Sequence, residues 1–144
     1  AVLKLLALKQ RDVNKGLILL IHEWSQLSPL IEEVPDELLE KVRKTWPGAV
    51  TWLFPKSCLI PSWLSGHHPS IAIRMTAHPV AHELCQEGPI VSTSANRSGF
   101  RPACDEQSLR EQFPTGIDVL LSGALGGANK PSEIYDVMSG KQLR

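Results

Sequence analysis

The sequence predicts an α/β domain built on a mostly buried sheet. Short aliphatic runs bounded by Gly, Pro and polar breaks recur along the chain, as in Gly16-Leu17-Ile18-Leu19-Leu20-Ile21 and Ser70-Ile71-Ala72-Ile73-Arg74-Met75, which is the pattern of buried strands. Between these runs lie segments with apolar residues at helical spacing, and strands interleaved with helices are the mark of the α/β class. With 144 residues, 42% of them apolar and 21% charged, the chain has the material for one sizeable core and therefore for a single domain over 1–144.

Each element has a local reason. Leu3, Leu5, Leu6 and Leu8 give residues 2–11 a broad apolar side, so the chain opens within a helix that has no initiator Met and no N-cap before it. Residues 16–21 follow as a strand, and 24–31 predict a short helix. Pro35-Asp36-Glu37 start a better helix, with proline in its first turn and acids at its positive end. Leu38, Leu39, Val42 and Trp46 continue it and Pro47-Gly48 stops it. Residues 49–54 and 70–75 read as strands, joined by a loop rich in Pro, Ser and Gly that carries His67-His68. His78-Pro79 begin a helix through 86, and 89–93 form the next strand. Residues 105–113 are helical, and 118–121 and 134–138 read as strands, the last followed by a Ser139-Gly140 turn.

Composition excludes several classes of function. Lys plus Arg and Asp plus Glu both number 15, so no global field draws the protein to nucleic acid or anionic membrane, and anion binding must come from a local cluster. The apolar runs are too short to span a bilayer, and no leader-like pattern opens the chain. Cys58, Cys85 and Cys104 are odd in number and lack a CxxC spacing, which fits reduced thiols in a cytoplasmic protein.

Three features could carry chemistry. Lys9-Gln10-Arg11, with Lys15 close behind, places cations where a helix gives way to a strand; this is either a solvated helix end or a phosphate site in which Lys is a mobile point charge and Arg a bidentate fork. Ser92-Thr93-Ser94-Ala95-Asn96 ends an apolar strand in three hydroxyls and an amide, which is either a capping turn or a cradle for phosphate and carboxylate oxygens. Arg74 interrupts an apolar strand on the face of Ala72, and such a guanidinium needs an anionic partner, either a salt bridge or a ligand. His78, His82 and Cys85 have i, i+4, i+3 spacing, but Cys85 fits the apolar side of its helix and no further ligand follows, so no metal site is predicted. GxSxG, GxxxxGKS/T and HExxH are all missing from the sequence.

Together the motifs resemble the YrdC-like family, the bacterial short-form threonylcarbamoyl-AMP synthases. The resemblance spans essentially the whole chain: Lys9-Gln10-Arg11, Trp46-Pro47-Gly48 leading to Thr51, Ile71-Ala72-Ile73-Arg74 before His78-Pro79, Ser92-Thr93-Ser94-Ala95-Asn96-Arg97-Ser98-Gly99, and Gly126-Gly127 with Pro131-Ser132-Glu133-Ile134. It implies a twisted mixed sheet flanked by helices around a concave basic groove. It also implies a reaction in which L-threonine, bicarbonate and ATP give L-threonylcarbamoyladenylate and pyrophosphate, after which partner proteins modify tRNA. By matching position, Lys9, Arg11, Ser70, Ser94, Asn96 and Arg144 contact ATP, while Arg74, Ser92 and Ser132 hold threonine. Magnesium is expected on the phosphates, and no side chain acts as a nucleophile. Asp12 stands where proline often follows the Arg.

The family's Tyr-Pro-Thr strand has no counterpart here, so an upstream strand-helix-strand portion is expected to be missing. That would leave an open edge beside 16–21 and a chain that is inactive and prone to associate. Two other functions share the same features. One is an RNA-binding or ribosome-maturation module using the same groove, which zero net charge and a single tyrosine disfavour. The other is the carbamoyl-adenylate-forming domain of a hydrogenase-maturation protein, whose acylphosphatase and zinc-finger parts are not seen in this sequence.

Overall fold

Short apolar runs, alternating with polar or small residues in β3 and continuous in β1, produce five strands: Ile18–Ile21 (β1), Val50–Pro55 (β2), Ser70–Met75 (β3), Ile90–Ser92 (β4) and Glu133–Asp136 (β5). The computed structural model describes residues 1–123, 125 and 131–144. The strands form one mixed sheet in the order β4-β1-β3-β2-β5. β1 runs parallel to β3 with Leu20 beside Arg74, and antiparallel to β4 with Ile18 beside Ser92. β2 runs antiparallel to β3 with Trp52 beside Ile73, and parallel to β5 with Thr51 beside Ile134.

The open edge expected beside 16–21 does not exist. The chain doubles back after Pro89, and β4 pairs with the free side of β1, so β1 lies inside the sheet. The edges are instead β4 and β5, of three and four residues, and short edge strands offer little template for pairing.

The sheet has two unlike faces because side chains alternate along a strand. Ile71, Ile73 and Met75 of β3 are buried, as are Leu19 and Ile21 of β1 and Trp52 and Phe54 of β2. Leu6 from Val2–Lys9 (α1), Val42 from Asp36–Arg43 (α2) and Leu64 from Ser62–Ser65 (α3) complete this core. Trp46 is packed between Trp24 and Phe54, with ring centroids 5.5 and 5.8 Å away, and its indole N–H donates to the Val50 carbonyl at 2.8 Å. The other face carries Ser70, Ala72 and Arg74, all half-buried, and becomes the floor of the site.

Several elements differ from expectation. Residues 24–31 form two separate 3₁₀ turns, Trp24–Gln26 and Ser28–Leu30, because Pro29 has no N–H for a continuous helix. The Pro- and Ser-rich loop hides α3, entered through Pro61. The remaining helices are Pro79–Leu84 (α4) and Glu106–Gln112 (α5); the second is capped by Asp105, whose carboxylate accepts from the Ser108 N–H at 2.7 Å. Residues 118–121 form no strand, since no described strand lies alongside them; Val119 and Leu121 are exposed. The last strand stops at Asp136, whose carboxylate accepts from the Ser139 N–H at 2.8 Å and turns the chain. The glycine pair Gly126-Gly127 lies outside the described residues.

Candidate active site

Two adjoining cavities open on the polar face of the sheet. The larger, about 370 Å³, brings together Arg74, Ser92, Ser94, Ser132 and Thr51. The smaller, about 260 Å³, has Leu53, Ala72 and Ile134 as its floor and Ser70, Lys15 and His68 at its sides. Arg11, Leu17, Ile18 and Arg144 belong to both. Residues far apart in the chain meet here because the mixed sheet sets the ends of β1, β3 and β4 and the approach to β5 side by side.

Arg74 is placed by β3, and among the described residues one bond holds its side chain: its Nε donates to the Gly48 carbonyl at 2.7 Å. No carboxylate pairs with it among the described residues. Its terminal nitrogens therefore remain for the cavity, and burial lowers its pKa, which marks a cation whose charge lacks a built-in partner. Of the two sequence readings, the structural salt bridge is not formed among the described residues.

Arg11 follows α1 through Gln10, whose left-handed φ of 51° turns the chain. Its NH2 donates to the Gly16 carbonyl at 3.0 Å, while its Nε is buried with no partner among the described residues. Gly16 is needed at this point, since it has a φ of +65° and a Cβ there would come within 3.1 Å of the Ser65 carbonyl oxygen. Arg144 donates twice to the Ser132 carbonyl, at 3.1 and 3.0 Å, and once to Ser132 Oγ at 3.3 Å.

Lys9 and Asn96 line neither cavity. The Lys9 ammonium is buried and donates to the carbonyls of Ser94 and Asn96. Burial lowers its pKa, and the nearby Arg11 charge adds to this. Asn96 bonds within its own turn, accepting from the Ser94 hydroxyl on Oδ1 at 2.5 Å and donating from Nδ2 to the Phe100 carbonyl at 2.8 Å. Asp12 caps the turn after Arg11, accepting from the Asn14 N–H at 2.9 Å, and also stays out of both cavities.

Thr51, Lys15 and His68 also line the cavities, although the family resemblance gives none of them a ligand. Thr51 is fully buried, with its hydroxyl 3.2 Å from Ser132 Oγ; a hydroxyl on an inward position of β2 was the available signal. Lys15 was visible only as a further cation, and His68 only as part of a loop. Arg11, Lys15, Arg74 and Arg144 face the joined cavities, and among the described residues neither lining contains an Asp or Glu. This is the local cluster that zero net charge requires of an anion-binding protein.

The Sua5/YciO/YrdC family model, described as telomere recombination, matches residues 1–144. The chain belongs to this family. It is 46% identical over 146 residues to the threonylcarbamoyl-AMP synthase of Coxiella burnetii (strain RSA 493 / Nine Mile phase I), covering all of this chain and 78% of that protein. The threonylcarbamoyl-AMP synthase of Methylococcus capsulatus is 49% identical over 146 residues, with the same coverage. Among solved structures, P. abyssi Sua5 complexed with L-threonine superposes with a TM-score of 0.87 at 31% identity, over 94% of this chain and 40% of that one. The mixed sheet is thus the family's own. No described helix is long and apolar enough to cross a membrane.

Proposed function

We infer that this domain forms L-threonylcarbamoyladenylate and pyrophosphate from L-threonine, bicarbonate and ATP. The observation that carries the reading is the carboxylate-free pair of cavities in which Arg74, with its terminal nitrogens unspent, faces Ser92 and Ser132, while Arg11 and Arg144 stand between the two spaces. The kinship with threonylcarbamoyl-AMP synthases and with a Sua5 solved with L-threonine supports this choice of substrates.

Arg74 receives the threonine carboxylate in the larger cavity, as a planar fork suited to a bidentate anion. Ser92 and Ser132 flank it there, and Thr51 supports Ser132. Arg11, Ser94 and Arg144 take the phosphates, and Ser70 borders the smaller, apolar-floored cavity, which is shaped for the nucleoside end. Threonine's amine joins bicarbonate with loss of water to give a carbamate. A carbamate oxygen then attacks the α-phosphorus, and the bond to the bridging oxygen breaks as pyrophosphate leaves. The protein's contribution is positioning together with neutralisation of developing phosphate charge, which needs no nucleophilic side chain.

Among the described residues, magnesium finds hydroxyl oxygens but no carboxylate ligands here. Neither lining holds a carboxylate, and no group of three His, Cys, Asp or Glu residues gathers among the described residues. The cation comes in with the triphosphate as part of the substrate. The product passes to partner proteins that act on tRNA.

Pyrophosphate release from ATP tests the reading. It is expected only when threonine and bicarbonate are both supplied. Equal release with either omitted would refute the acceptor chemistry.

A further inference from the structure

The basic triplet and the Ser-x-Asn turn look like one set of ligand-binding groups in the sequence, but the structure divides them. Only 5% of Lys9 is exposed. Its Nζ donates to the Ser94 carbonyl and, at 2.5 Å, to that of Asn96. Its own carbonyl accepts from the Ser98 N–H at 2.9 Å. The Asn96 N–H returns to the Ser94 carbonyl at 2.9 Å, and the Asn96 side chain closes the turn through the Ser94 hydroxyl and the Phe100 carbonyl. No carboxylate pairs with Lys9 among the described residues. An ammonium taken out of water needs compensating acceptors, and here they are the carbonyls of the turn itself. α1 ends at Lys9, and the left-handed Gln10 reverses the chain before Arg11. Lys9 is thereby kept on the turn side and Arg11 on the cavity side.

We propose that Lys9 is a positioning residue: its ammonium locks the 94–98 turn, with Asn96 as the second lock, so that Ser92 and Ser94 present their hydroxyls to the joined cavities while Arg11 alone of the pair meets the ligand. The proposal rests on reading those cavities as the ATP and threonine sites. It explains why a family motif that carries two cations exposes only one of them to the cavity. It also couples both ligands to one lysine, because Ser92 belongs to the threonine side and Ser94 to the phosphate side.

Lysine acetylation followed by mass spectrometry tests the division on the unaltered protein. Lys9 should stay unmodified with and without ATP, whereas exposed Lys15 should react freely and become protected by ATP. A Lys9 that reacts readily in the absence of ATP and is shielded by it would overturn the proposal, and the ligand-free arm holds even if ATP fails to bind. Lys9→Met supplies the second measurement. ATP and L-threonine affinities should fall together by about tenfold or more, the scale of a lost charged hydrogen bond, with faster amide exchange at Asn96 and Ser98 and unchanged exchange in β3. Loss of ATP affinity alone with unaltered exchange would instead make Lys9 a direct ligand, and two unchanged affinities would show that the lock is dispensable. Failure of the unaltered protein to bind either ligand would refute the reading of the site, leaving the acetylation result for Lys9 to stand separately.

Discussion

Arg74 Nε lies 2.7 Å from the Gly48 carbonyl oxygen, and this bond ties the strand that bears the guanidinium to the turn after Trp46. With Nε held, the two terminal nitrogens are aimed as a fork. Half-burial with no ion pair among the described residues leaves the charge ready for an incoming anion.

Arg74→Lys keeps the charge and loses both the fork and the Gly48 anchor. L-threonine binding should weaken by about 1.5–3 kcal/mol, the range for one charge-assisted contact, with ATP affinity nearly unchanged. Titration calorimetry with each ligand distinguishes this from a general disturbance, in which both affinities would drop equally.

Thr51→Val preserves the shape of a fully buried side chain and removes the hydroxyl that meets Ser132 Oγ at 3.2 Å. Ser132 keeps its contact with Arg144, so the cost to folding should be about 1 kcal/mol. The effect on threonine should be larger than that on ATP, because Thr51 and Ser132 share the larger cavity. A lowered melting temperature with unchanged threonine affinity would make Thr51 a sheet residue only.

The cysteines should separate by reactivity. Cys58 and Cys104 are exposed and Cys85 is buried. Burial raises the Cys85 pKa against the smaller opposing effect of an Ile90 backbone hydrogen bond, and the thiolate is the form that reacts. Iodoacetamide should therefore label two cysteines in the folded protein and all three in denaturant. Labelling of Cys85 under native conditions would show that the C-terminal end of α4, which it caps, opens readily.

Much of this arrangement was legible beforehand, and the reasons are specific. β3 was readable because Ile71, Ile73 and Met75 alternate with polar or small residues on a half-buried strand. The same alternation placed Arg74 on the face of Ala72, where the cavity lies. The motifs also locate most of the larger cavity's lining, since Arg11 follows α1, Ser92 ends β4 with Ser94 just beyond, and Ser132 adjoins β5. The partnership of strands was less visible. That β4 covers β1 depends on a long-range antiparallel pairing which local spacing cannot encode. The direction of Lys9 was hidden for a similar reason: a left-handed residue at Gln10 decides it, and glutamine does not announce that conformation.

Residues 118–121 provide a sharper test of the sheet. The sequence reads them as a strand, yet Val119 is 74% exposed and Leu121 59%. If no strand forms there, Val119→Ser and Leu121→Ser remove almost no buried surface, and each should change stability by no more than about 0.5 kcal/mol. Ile73→Ala acts on a side chain with 0% exposure at the middle of the central strand. It should cost about 2–5 kcal/mol through lost transfer energy and the cavity left behind. Urea unfolding of the three variants at equal slope makes the comparison direct. A loss at Val119 or Leu121 approaching that at Ile73 would mean that this segment is packed as a strand after all, and the sheet would then have a sixth member beyond the order β4-β1-β3-β2-β5.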